Sequence, residues 1–176
     1  KHAQRSGGSW SFEIVATGVG QGSSMTAYAG KLYVAFVSNS RLYCAINNGT
    51  IWNIEEVDMA SSIGNEMDIA VSGGMPFISY RTTSNFLKVA TRAPNGAWNP
   101  TIVDDTSIVQ MWSSASGDSV GRMHVTYYDA ANQDLCYAVY DGVNWTLTRL
   151  DDSGGRCSAV VTDDNDKQHI FYIDLV

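Results

Sequence analysis

Carboxylates, aromatic rings and arginines are the residues of this chain best suited to chemistry, and they recur at matched positions. Asp58, Asp104-Asp105 and Asp151-Asp152 each close an apolar stretch that Trp52, Trp98 or Trp145 opened six residues earlier. Tyr80-Arg81 and Tyr128-Asp129 end a second kind of apolar stretch, and Asn132 and Asp134 follow. Glu66, Trp112 and Arg156 stand immediately before small-residue stretches. Aromatic faces beside planar hydrogen-bonding groups suit sugar recognition, in which C–H surfaces stack on rings and hydroxyls meet carboxylates or guanidinium groups. The candidate ligand-binding residues are therefore Trp112, Tyr128, Asp129, Tyr80, Arg81, Asp104, Arg156 and Glu66. A structural alternative stands beside this reading, because an Asp that closes a strand commonly accepts N–H groups of the following turn.

Other chemistries find less support. Thr162-Asp163-Asp164-Asn165-Asp166 has the acidity of a calcium loop but lacks its central Gly and its closing Glu, so a solvated turn is expected and no cofactor is assigned. The three Cys, at 44, 136 and 157, are odd in number and fit no zinc spacing, and are expected as buried free thiols. His124 and His169 share one repeat position and neither accompanies a nucleophile motif. No catalytic residue is assigned.

A net charge of -7 with only 11 Lys and Arg, scattered along the chain, excludes a phosphate-neutralising patch and with it nucleic-acid binding. No apolar run approaches the ~20 residues of a membrane span. A soluble protein is expected. The compartment stays open: the sequons at Asn48 and Asn144 are compatible with secretion but do not establish it.

The elements that must position these residues form a repeat. Trp10, Trp52, Trp98 and Trp145 lie 42, 46 and 47 residues apart, each just after a Gly-containing turn such as Asn95-Gly96 or Asp141-Gly142. Such dipeptides accept the positive φ of tight hairpins. Leu42–Ile46, Leu87–Thr91 and Leu135–Val139 precede the turns as one strand, and the Trp-led stretches follow as its partner. Pro100 cannot donate to a ladder, so that partner is an edge strand. Two more strands come earlier in each unit. One is built of small residues suited to a crowded axis (Ser23–Ala27, Met67–Val71, Ser113–Ser116, Cys157–Val161), and one is apolar (Leu32–Val37, Pro76–Tyr80, Met123–Tyr128, His169–Ile173). No helical periodicity occurs. A four-stranded antiparallel unit of about 45 residues is a propeller blade, so the expectation is an all-β propeller, one domain over 1–176, with four repeats. A β-sandwich of evenly spaced hairpins is the alternative.

Residues 1–15 read as the outer half of a unit and the last stretch as an inner half, so the N-terminal strands are expected to complete the C-terminal blade. Three arrangements follow: the chain closes on itself as a four-bladed monomer, two chains share a larger ring as a homodimer, or the sequence is a stretch of a longer propeller.

His124-Val125-Thr126-Tyr127-Tyr128-Asp129, Leu135-Cys136-Tyr137-Ala138 and Gly142…Trp145 resemble the repeat of bacterial β-propeller proteins of sialidase-like or lectin-like type. His169–Asp174 is a second copy, and Pro76–Tyr80 and Leu32–Phe36 are degenerate ones. The resemblance implies architecture and leaves function open. Three functions remain: a lectin-like, non-enzymatic binder of glycan, a protein-binding or structural propeller, and a glycosidase- or sialidase-like enzyme. Against the last, Ser116–Gly121 begins like a sialidase Asp-box and then departs from it.

Overall fold

The structure, a computed structural model, describes residues 1–18, 20, 22–60 and 62–174, with the side chains of Met111 and Trp112 outside that description. Every regular element in it is a strand. Three complete sheets follow one pattern: β3(Ser23–Tyr28), β4(Lys31–Ser38), β5(Arg41–Asn47) and β6(Trp52–Asp58); β7(Ile63–Ser72), β8(Met75–Thr82), β9(Leu87–Arg92) and β10(Trp98–Asp104); β11(Val109–Gly117), β12(Met123–Asp129), β13(Asp134–Tyr140) and β14(Trp145–Asp151). Each is an up-and-down antiparallel blade with its Trp-led strand at the edge. Pro100 therefore sits in an edge strand, where its missing N–H costs little.

Two further sheets have two strands each. β1(His2–Ser6) pairs with β2(Ser9–Glu13), and β15(Gly154–Thr162) pairs with β16(Gln168–Asp174). The small-residue strands lie side by side in the order β3, β7, β11, β15. The β1–β2 hairpin leans on the first blade, where the Trp52 indole donates to Glu13 Oε1 at 2.9 Å and the His2 ring meets Trp52 edge-on. The five sheets form an open arc and no closed ring. A four-bladed closed ring is thus not what the described residues adopt.

The core lies between blades, because each strand alternates its side chains between two neighbours. Ile78 and Tyr80 face the first blade in one apolar cluster with Val37, Leu42 and Val57. Phe77 faces the third in another, with Val103, Val125 and Tyr127. Small residues at the axis let backbones approach. A Cβ at Gly117 would stand 2.1 Å from the Val71 carbonyl oxygen of the next inner strand, and one at Gly22 would stand 1.8 Å from that of Asn65. Asp68 ties three inner strands together, accepting from Ser24 Oγ at 2.6 Å and from the Ala115 N–H at 2.9 Å.

Two of the three Cys are buried as expected, but Cys157 is exposed. It sits in a register irregularity with φ 55°, which turns its side chain out of the sheet.

Candidate functional site

The inner strands share a feature the repeat did not suggest: each of β7, β11 and β15 starts with a bulge. Pairing jumps from Ile63↔Thr82 to Met67↔Tyr80, from Gln110↔Tyr128 to Ser114↔Thr126, and from Arg156↔Ile173 to Ala159↔Phe171. A bulge bends the strand and re-aims side chains. All three lie at one end of the arc, beside the last residues of β8, β12 and β16.

Glu66 sits in the first bulge and meets Arg81 from the adjacent strand. Arg81 Nε and Nη2 donate to Glu66 Oε2 at 3.1 and 2.9 Å, and Nη1 donates to Asn85 Oδ1 at 2.7 Å. Gly64 makes room for this pair, since a Cβ there would lie 2.8 Å from Glu66 Oε2. Arg156 opens the third bulge. Its guanidinium carbon lies 5.6 Å from the centroid of the Tyr128 ring in the next blade. The ring is buried beneath it and the arginine is exposed. The approach is of cation–π type, while no carboxylate among the described residues lies within ion-pair distance of the guanidinium.

The remaining sequence candidates take other places. Asp129 is buried and accepts from the Ile108 and Ala131 N–H groups, both at 3.0 Å, and from Asn132 Nδ2 at 2.7 Å. It holds the turn that follows Tyr128 and β12. Trp112 lies in the β11 bulge, and its side chain is outside the described residues. Tyr80 is fully buried, its hydroxyl donating to Asp58 Oδ2 at 2.6 Å. It presents no face to a ligand in this structure, because β8 runs on to Thr82 and turns Tyr80 into the blade boundary. Asp104 is also buried. Its Oδ1 accepts from the Thr106 and Ser107 N–H groups at 2.8 and 3.2 Å, and its Oδ2 accepts from Tyr127 Oη at 2.7 Å. Burial pushes this carboxyl up, but hydrogen bonds from Ser107, Tyr127 and Thr106 prevail and hold it at about 2.

The structure therefore joins Glu66 with Arg81, and Tyr128 with Arg156, at the bulged end, and places Asp104 in a cleft between outer strands. That cleft, of about 290 Å³, is lined by Asp104, Thr106, Tyr127, Leu147 and Arg149. The sequence reading missed the Tyr–Asp bonds across blades, of which Tyr172 Oη to Asp151 Oδ2 at 2.6 Å is a third. Their signal was present: the tyrosines share one repeat position and the aspartates another. The acidic turn is held by its own protein donors, Asp163 accepting from the Asn165 and Lys167 N–H groups at 2.8 and 3.0 Å. No grouping of three or more metal-ligating side chains occurs among the described residues.

Comparison with solved structures agrees with the blade architecture. A lectin named SapL1, solved with α-methyl fucoside, has a TM-score of 0.62 at 14% identity, over 98% of this chain and 65% of that one. The Aleuria aurantia lectin, described as a six-bladed β-propeller with a fucose recognition mode, gives 0.56 at 13%, over 91% and 58%. An α-L-arabinofuranosidase of Clostridium thermocellum gives 0.57 at 13%, over 87% and 63%. The chain thus has the β-propeller fold, and it spans less than two thirds of the length of each of these structures. No family model and no curated protein matches it. No helix among the described residues is long and apolar enough to cross a membrane.

Proposed function

We propose that this chain is a non-enzymatic, lectin-like module that binds glycan at the end of the arc where β7, β11 and β15 begin. The observation that carries the reading is the exposed Arg156 guanidinium laid over Tyr128. It is a planar donor fork beside an aromatic ring and open to solvent, in the same end region as the Glu66–Arg81 pair. Such groups hydrogen-bond vicinal hydroxyls or a sugar carboxylate. The lectin neighbours support the class of ligand at the level of fold only.

A glycan-array screen of the folded chain, with and without calcium, tests the proposal. The expected result is calcium-independent binding to a related set of sugars that Arg156→Ala abolishes. Binding that survives Arg156→Ala moves the site elsewhere, and a blank array on folded protein favours a protein-binding propeller.

A further inference from the structure

The two ends of the arc carry complementary halves of one blade. Among the described residues β15–β16 has the inner pair of strands and β1–β2 the outer pair. In the three complete blades an alanine of the third strand pairs with a branched residue of the second: Ala45↔Val34, Ala90↔Ile78 and Ala138↔Val125. That alanine also pairs outward, Ala45↔Ile54, Ala90↔Pro100 and Ala138↔Leu147. Ala3↔Phe12 repeats the outward pairing, and Ile170 occupies the inner position, paired with Val160 as Val125 is with Ala115. One register therefore joins β16 to β1: Tyr172 opposite Lys1, Ile170 opposite Ala3, Gln168 opposite Arg5.

The faces at these ends are apolar and open, although their counterparts are covered. Met25 holds the place of Ile69 and Val160. It is 58% exposed, where they are 4% and 7%. Phe171 holds the place of Ala35, Ser79 and Thr126. It is 74% exposed, where all three are at 0%. Val161 and Ile173 share its open face. Beside β1 lies a cavity of about 370 Å³ lined by Ala3, Val15, Ala16, Met25, Val34 and Phe36. It occupies the position that the inner strands of a preceding blade would fill. Ala16 and Phe36 stand there where the other boundaries have Asp and Tyr, and Lys1, His2, Ser23 and Ser24 complete the lining, so this boundary is mostly apolar and lacks the Tyr–Asp bond.

We infer that copies of this chain join through these ends, the β16 edge of one adding to the β1 edge of a second to complete a blade β15–β16–β1–β2. The open arc selects a second copy over self-closure: among the described residues β1–β2 and β15–β16 stay separate two-stranded sheets within one chain. Two copies make a ring of about eight blades, within the usual range for propellers, through a symmetric pair of contacts. Edge pairing satisfies the open N–H and C=O groups of both edges, which otherwise invite aggregation.

The test uses the full chain carrying Cys157→Ser. Ala3→Cys and Ile170→Cys are made in separate, differently tagged chains, which are then mixed and oxidised. Directly opposed Cα atoms lie about 4.5–5.5 Å apart, within disulfide reach. A mixed disulfide is expected, with sedimentation of the unsubstituted protein at two chains per particle. Gln4→Cys with Ile170→Cys should link at least about tenfold less, because a one-residue shift turns the side chain to the other face. Phe171→Lys, at a side chain already exposed within one copy, should yield single folded chains. Sedimentation of the unsubstituted protein as single chains would overturn the inference, as would a disulfide that forms only within one chain carrying both cysteines.

Discussion

The hydroxyl of Tyr127 donates to Asp104 Oδ2, 2.7 Å away across a blade boundary. The same bond joins Tyr80 to Asp58 and Tyr172 to Asp151. In each case the other carboxylate oxygen accepts N–H from the turn after its strand. One aspartate thus closes its own blade's turn and clamps the next blade. Desolvation and the bond to Asp104 push the Tyr127 hydroxyl well above its usual pKa, so it stays a donor.

Tyr127→Phe should destabilise the fold by about 1.5–3 kcal/mol, the worth of a buried hydrogen bond to a charged group. For a chain of this size that lowers Tm by about 2–4 °C per kcal/mol. Urea unfolding measures it. A change below about 0.5 kcal/mol would mean that the clamp adds little to apolar packing between blades.

Acid should loosen these clamps in a defined window. Asp104 is held at about 2 when folded, against about 3.9 in an unfolded chain. A depressed folded pKa adds stability that is present above the unfolded value and lost as pH falls through the folded one. The loss should run from about pH 4 down to about pH 2 and amount to about 2.5 kcal/mol from this group. Asp58 adds to it: burial raises its carboxyl, and Lys88 and Tyr80 together lower it further. Unfolding midpoints measured between pH 6 and pH 2 should fall in that window, and less steeply in Tyr127→Phe. A flat profile below pH 4 would contradict the account.

Strand order and hairpins were legible in the sequence because they are local. Asn95-Gly96 and Asp141-Gly142 mark turns by backbone preference, and alternation around Ala90 or Ala138 marks a strand. The bulges were not legible, because extra residues such as Gly64 to Glu66 read as connection rather than strand. Tyr80 looked like a loop aromatic for the same reason, since the end of β8 was placed too early. Of the candidate site, Glu66, Arg81, Tyr128 and Arg156 were named as separate residues, but the two contacts that pair them depend on which strands and blades adjoin. Ring closure depends on curvature, which is set by packing between residues tens of positions apart.

The proposed binding site separates stacking from charge. Arg156→Lys keeps the charge but loses the planar fork and its fit over the ring, so glycan affinity should fall by about tenfold or more, equivalent to about 1.4 kcal/mol. Tyr128→Phe keeps the ring under Arg156 and should leave affinity within about twofold. Titration calorimetry with the best array ligand compares them. No loss in Arg156→Lys would remove Arg156 from the site, and an equal loss in Tyr128→Phe would mean that the Tyr128 hydroxyl, rather than its ring alone, matters to binding.

Cys157 should be the only thiol of the folded chain that reacts quickly. It is exposed, whereas Cys44 and Cys136 are buried, with burial pushing their thiols up to about 12 and about 11. The thiolate is the reactive form, so an aromatic disulfide reagent at pH 8 should label one site at once and the other two only in denaturant. The same position carries strain, because φ 55° is unfavourable for a residue with a Cβ. Cys157→Gly should therefore stabilise the fold by about 0.5–1 kcal/mol, the left-handed penalty less the entropic cost of glycine. If the glycine variant unfolds at lower urea than the parent, packing of the Cys157 side chain outweighs its backbone strain, and the bulge is held by more than backbone geometry.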